Sequence, residues 1–334
     1  MTNATASVAV VGARGYLGRE LVRLLAAHPR VGSLTLTSTS EAGKPYGDLV
    51  PSFRHRRDLI MAAPAKAADA DVVFLATDGE EAKRSVADVG DRPKLIVDLS
   101  RAHRHAAFEA GSGWAYGLPE FFPIVKGTKR IANPGCYPTA TMVAAGAALR
   151  SGLAADGVLI ADGKSGVSGA GAAPRGDLHY PEMNEAVRAY KVLGHDHLGE
   201  IRLAANAASG QSHGKAARAV RFTPHLVPMS RGLLSTVYLP AKPGVTAEEV
   251  KAAYVRAYSG TKFLRVVPEP DTGVVAGSNF ADVAIDLDAD SGLLVARCAI
   301  DNLVKGGSGQ AVQNMNLALG WAETEGLSAV GGGP

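Results

Sequence analysis

Apolar runs and helical periodicity alternate along the first part of the chain. Ser7–Gly12 (SVAVVG) is a continuous apolar run closed by glycine, the pattern of a strand buried on both faces. Tyr16–Pro29 follows with Leu17, Leu21, Leu24 and Leu25 at helical spacing, and His28-Pro29 ends it. Ser33–Ser38, Asp71–Thr77 and Lys94–Ser100 read as further strands, with a helix between the last two. Thr39–Ala70 is rich in proline and charge and is expected to be irregular. This rhythm predicts an α/β fold with a doubly wound parallel sheet, the Rossmann arrangement.

The pattern changes after about residue 150. The stretch AVRFTPHLVPMSRGLLSTVYLPAK is strand-like. In Ala281–Ile300, Val283, Ile285 and Leu287 alternate with Asp282, Asp286 and Asp288, and Asp290-Ser291-Gly292 is a turn. An antiparallel hairpin with one wet face is expected there. Thr246–Gly260 reads as a helix with acidic residues in its first turn, and Gly307–Trp321 as a final helix. The second part is therefore α+β.

Composition narrows the function classes. The 334 residues are enough for two domains, and a net charge of +3 is too mild to imply a nucleic-acid partner. Two cysteines, Cys136 and Cys298, make no disulfide framework, and no spacing predicts a metal site. No run is apolar for the length of a membrane span, and the N-terminus lacks the features of a signal peptide. A cytoplasmic protein without a membrane or nucleic-acid partner is the expectation.

Gly12, Gly15 and Gly18 lie in GARGYLG, between the first strand and the first helix. A tight turn there lets backbone N–H groups approach a pyrophosphate, whose charge the helix N-terminus favours. The second strand ends in Thr37, Ser38, Thr39 and Ser40 rather than in an acidic residue; Glu41 comes later. Hydroxyls with Arg14 or Lys44 nearby suit a 2′-phosphate, so NADP is the expected dinucleotide.

A second candidate site surrounds ANPGCYPTA (Ala132–Ala140). The longer stretch KRIANPGCYPTATMVAAGAALRSG reads as strand, turn and helix, with Cys136 at the helix start and the helix running through Leu149. A thiol of pKa ~8.5 is only about 3% ionised at pH 7, and lowering it by about three units is worth about 4 kcal/mol. A helix N-terminus supplies about 1–2 kcal/mol of that, so a cation must supply the rest. His195 and His197 in LGHDHLGEI are the candidates, on one side of the chain if it is extended; His179 and His225 stand alone. Lys164–Gly171 (KSGVSGAG) is a loop of small residues whose backbone N–H groups could hold an anion. Together these parts suit reduction of an acyl phosphate: the thiolate displaces phosphate, and NADPH reduces the resulting thioester to an aldehyde.

VGARGYLGRELVRLLAAHP, YGLPE, ANPGCYPTAT, KSGVSGAG and AIDNLVKGGSGQAVQNMNLALGW resemble the N-acetyl-gamma-glutamyl-phosphate reductase family, in the family's order along nearly the whole chain. The resemblance implies a Rossmann domain with an inserted α+β catalytic domain: residues 1–147 and 309–334 for the dinucleotide, 148–308 for substrate. It implies Cys136 as nucleophile and His197 as acid/base, the family motif being Gly-His-Arg-His. Cofactor contacts would come from Gly12, Ala13, Arg14, Gly15, Tyr16, Leu17, Gly18, Ser38, Ser165, Gly166 and Asn302. Substrate contacts would come from Arg104, Asn133, Ser168, Gly169 and Glu200. The implied partners are a small acyl phosphate and inorganic phosphate, with a homo-oligomer (dimer or tetramer) as the assembly. The chain departs from the pattern at Asp196, where arginine is usual, at Leu198-Gly199 for Thr-Pro, and at Ala172, where arginine is usual and Arg175 is a nearby replacement. Two other readings compete: a lysine-branch reductase acting on a carrier-protein-bound aminoadipyl phosphate, and a non-catalytic NADP-binding protein.

Overall fold

The computed structural model describes residues 5–210, 218–327 and 330–331. The chain divides into two compact units, 1–134 with 307–328, and 135–306 with 329–334.

Unit one holds strands β1 (Ala6–Val11), β2 (Val31–Thr37), β3 (Met61–Ala62), β4 (Val72–Leu75), β5 (Leu95–Asp98), β6 (Ala115–Tyr116) and β7 (Arg130–Ala132). They form one sheet in the order β3-β2-β1-β4-β5-β7-β6, every pairing parallel. Val8, Ala9 and Val10 of β1 and all four residues of β4 are buried, as a central parallel strand requires. Helix α1 (Tyr16–Leu25) turns Leu21, Val22, Leu24 and Leu25 inward. It ends earlier than the sequence pattern, since Ala26 to Pro29 form the turn into β2. Helix α2 (Gly79–Val89) starts at Asp78, whose carboxylate accepts from the N–H groups of Glu80 and Glu81. The stretch expected to be irregular, 39–70, contains short helical turns and the edge strand β3.

Unit two is built on strands β8 (Leu159–Gly166), β9 (Arg188–Ala189), β10 (Val220–Val227), β11 (Leu233–Pro240), β12 (Leu264–Val266), β13 (Ala281–Asp288) and β14 (Leu293–Ile300). Their order is β12-β13-β14-β11-β8-β10-β9, with mixed directions. Helices α3 (Cys136–Arg150), α4 (His197–Ala208) and α5 (Ala247–Tyr258) pack on this sheet. Tyr137 through Leu149 are all buried, so α3 is apolar on every side and forms the core of the unit. Tyr258 fastens α5 to it by donating to the Val143 carbonyl at 2.6 Å.

Helix α3 therefore belongs to the second unit, whereas the sequence reading closed the dinucleotide domain after it, at residue 147. Its buried face meets β11 and α4. The hairpin β13–β14 forms as expected, but Ala281 to Ile285 are buried on both faces, with Asp282 paired to Arg265 at 2.6 Å. The last helix, α6 (Gly309–Leu319), packs on α1 and β5 within unit one. A wide turn precedes it, closed by Gly306 N–H donating to the Asp301 carbonyl at 2.9 Å.

Candidate functional sites

In unit one, a cleft of about 270 Å³ is lined by Gly12, Arg14, Gly15, Thr37, Ser38 and Thr77, among others. Gly12 has φ +85°, and a Cβ on it would stand 2.5 Å from the Ala76 carbonyl oxygen, so only glycine fits. Gly18 is equally constrained, since a Cβ there would collide with the Gly12 carbonyl. The turn is thereby held flat against the start of α1, whose N-cap, Gly15, carries no side-chain cap. Thr37 Oγ1 and Thr77 Oγ1 are buried without a hydrogen-bond partner among the described residues, and both residues line the cleft. Orphaned buried hydroxyls beside a capless helix start fit a polar, anionic ligand such as a dinucleotide. Ala13 and Tyr16 flank the turn; Ala13 is buried and its carbonyl accepts from Tyr46 at 2.8 Å. The Leu17 carbonyl accepts from Ser308 at 2.8 Å, which ties α1 to the start of α6.

In unit two, Cys136 is the first residue of α3 and is half-buried. The N–H of the preceding Gly135 donates to Glu200 Oε1 at 2.9 Å, and Glu200 lies one turn into α4. One buried carboxylate thus joins the starts of both helices. Tyr137 is the hub beside the thiol. Its ring stands 5.8 Å from His195, 6.0 Å from His197 and 5.0 Å from Phe222, and its hydroxyl donates to the His225 carbonyl at 2.9 Å. Burial pushes the Tyr137 hydroxyl far up, and that of Tyr190 to about 12.

The two histidines have different environments. His195 Nδ1 accepts the His197 N–H at 3.1 Å, so its neutral ring carries the proton on Nε2, which meets Tyr190 Oη at 3.3 Å. Burial lowers the His195 pKa to about 4, with Lys191 acting in the same direction and Asp196 against it. The ring is therefore neutral at pH 7 and acts as a cap for α4. His197 is the first residue of that helix. The pair is not extended: Asp196 is already in helical geometry, yet both rings face Tyr137.

Gly306 was not singled out by the sequence. A Cβ on it would lie 2.8 Å from Cys136 Cβ and 3.2 Å from its Cα. Gly306→Ala is expected to displace the thiol while the chain still folds. A changed iodoacetamide labelling rate of Cys136 measures this.

Several expected contacts are reassigned. The Ser165–Gly171 segment is not an open nest: the N–H groups of Gly166, Val167, Ser168 and Gly171 donate to Gly232, Met229, Ser230 and Ser168 carbonyls. Asn302 braces it, donating to Ser168 Oγ at 2.9 Å and accepting from Gly232 N–H at 2.7 Å. Gly169 packs against Ser165 Oγ. Asn133 is fully buried, and its amide is engaged by the Asn314 side chain and the Gly307 carbonyl. Glu200 is likewise buried and holds a helix start. Arg104 is buried and donates to the Asn133 and Leu99 carbonyls at 2.9 and 2.7 Å. Arg175 is clamped by Asp177 at 2.6 Å. Among the described residues no group of three or more metal-ligating side chains occurs, and no helix is long and apolar enough to cross a membrane.

Residues 7–125 match the semialdehyde dehydrogenase NAD binding domain family, and residues 136–302 the semialdehyde dehydrogenase dimerisation domain family. Solved structures with a similar fold include aspartate semialdehyde dehydrogenase II from Vibrio cholerae, with TM-score 0.73, 17% identity and coverage of 94% of this chain and 98% of that one. The Candida albicans aspartate semialdehyde dehydrogenase with NADP aligns with TM-score 0.71 and 16% identity, over 94% of this chain and 98% of that one. Curated relatives are much closer in sequence. The N-acetyl-gamma-glutamyl-phosphate reductase of Pelobacter propionicus is 39% identical over 97% of this chain and 98% of its own length. That of Heliobacterium modesticaldum is 41% identical, with coverage of 97% and 98%. With identity of that order along almost the full length, on a fold with a glycine turn in one unit and a helix-start cysteine in the other, the chain belongs to the N-acetyl-gamma-glutamyl-phosphate reductase family.

Proposed function

We propose that this protein is an NADPH-dependent reductase that converts N-acetyl-gamma-glutamyl phosphate to N-acetylglutamate 5-semialdehyde and phosphate, in the arginine branch of amino-acid biosynthesis in the cytoplasm. The observation that carries the chemistry is Cys136 at the start of α3, with Tyr137 bringing both histidine rings to that corner. Cys136 Sγ attacks the acyl carbon, the C–O bond to phosphate breaks, and a thioester forms on the enzyme. The reduced dinucleotide, when bound, supplies the electron pair that takes this thioester to the aldehyde level. His197 gives a proton to the oxygen of the tetrahedral centre or to the leaving sulfur as each step requires. His195 does not share that work, because its ring stays neutral and its Nδ1 is occupied.

In this reading unit one holds the dinucleotide and unit two carries the chemistry. The Gly12–Gly18 turn receives the pyrophosphate, and Thr37, Ser38 and Thr77 offer hydroxyls to the adenosine half. The test is turnover of free N-acetylglutamate semialdehyde with NADP and phosphate. Turnover only with a carrier-bound aminoadipyl substrate would assign the lysine branch instead, and no turnover with either would leave a dinucleotide-binding protein.

The family match over 136–302 supports a homo-oligomer. We place its interface on the sheet face of unit two opposite the helices. Ile160, Tyr238 and Val295 are in register across three adjacent strands there, and Ile160 is exposed. Tyr238→Asp is expected to dissociate a dimer, or a tetramer into smaller species, as read by sedimentation.

A further inference from the structure

A carboxylate stands beside the hydroxyl run of the dinucleotide cleft. Glu41 stands in the turn after β2, and its N–H donates to Ser38 Oγ at 3.3 Å, which fixes it beside the hydroxyl run lining the cleft. Its Oε1 takes Arg14 Nη1 at 2.9 Å, and its Oε2 takes Lys44 Nζ at 2.6 Å. The carboxylate side chain is 15% exposed, whereas Arg14 and Lys44 are 51% and 58% exposed. Arg14 lines the cleft itself. The two cations that a 2′-phosphate would use are thus already paired, by a group whose hydrogen bond from Lys44 keeps it ionised below the ordinary carboxylate range.

We infer that Glu41 sets how strongly this protein discriminates dinucleotides with a 2′-phosphate from those without one, by competing with that phosphate for Arg14 and Lys44. The inference rests on the dinucleotide reading of the cleft. A ligand bearing the phosphate must draw both cations away from Glu41 and tolerate the carboxylate nearby. A ligand with a free 2′-hydroxyl leaves both pairs intact and can donate to the carboxylate, as a ribose hydroxyl does to an acidic residue after the second strand. Glu41 is therefore the control point of that preference. Exposed ion pairs are individually weak, so the effect of releasing two of them is about three- to tenfold, not thousands.

The test is calorimetric titration of the full chain with adenosine 2′,5′-bisphosphate and with 5′-AMP, which needs no turnover. In Glu41→Gln, affinity for the bisphosphate is expected to rise about three- to tenfold while that for 5′-AMP stays level or falls. Glu41→Asp, which keeps the charge, should stay near wild type. Arg14→Ala and Lys44→Ala should each weaken the bisphosphate and leave 5′-AMP little changed. An unchanged ratio of the two affinities in Glu41→Gln, or one moved toward 5′-AMP, overturns the proposal. Failure of both fragments to bind the wild type would overturn the dinucleotide reading itself, and the proposal with it.

Discussion

Cys136→Ser is expected to abolish phosphate-dependent reduction of NADP by the semialdehyde, lowering kcat by at least about 10⁴-fold. A serine hydroxyl at the same helix start is far from ionised at neutral pH, and the helix terminus contributes only about 1–2 kcal/mol toward an anion there. The substitution removes one polarisable atom on a rigid element, so the fold is retained; α3 is buried from Tyr137 to Leu149, and the changed atom lies at its half-buried first residue. Binding of adenosine 2′,5′-bisphosphate should be unaltered, because the residues that line the glycine-turn cleft all belong to unit one. Mass spectrometry of wild type quenched with acyl phosphate should show an acyl adduct on the Cys136 peptide that the variant lacks. Substantial turnover by the serine variant would refute the covalent route.

Much of this was legible in the sequence because the informative residues sit where regular structure begins or ends. The apolar run Ser7–Gly12 followed by Leu21, Leu24 and Leu25 on one helix face marks a βα unit by periodicity alone, and β1 and α1 form there. The turn residues around Cys136 marked a helix start, and α3 begins at that residue. What the sequence left open depends on side chains meeting across long separations. Asn133 and Glu200 are polar residues in motif positions and read as ligand contacts. Each instead bonds to groups distant in sequence, Asn133 to the Asn314 side chain and the Gly307 carbonyl, Glu200 to the Gly135 N–H. A small-residue loop such as Ser165–Gly171 looks like an open anion nest until its N–H partners on the β10–β11 connection are known. Gly306 lies within the AIDNLVKGGSGQ stretch of the resemblance, but nothing local shows that the Cβ it lacks would strike Cys136.

His197→Asn carries the second large expected effect. The sulfur atom remains, but the imidazole that would favour its ionised form is gone, and the proton that must reach a tetrahedral oxygen or departing sulfur has lost its donor. General acid–base groups are worth about 10²–10⁴-fold, and kcat is expected to fall within that range. The companion variant His195→Asn separates acid/base work from positioning. His195 caps α4 through Nδ1 and has its pKa lowered to about 4 by burial. A group whose folded pKa is depressed stabilises the fold above its unfolded value near 6.5, and that contribution is lost as pH falls toward 4. In wild type, therefore, acid should weaken the helix start between about pH 6.5 and 4, and His195→Asn should flatten that dependence of thermal stability. A pH–rate limb that vanishes in His197→Asn but survives in His195→Asn assigns proton transfer to residue 197. If instead His195→Asn removes the limb and His197→Asn leaves kcat within threefold of wild type, the roles of the two imidazoles are reversed, and the cap is the acid.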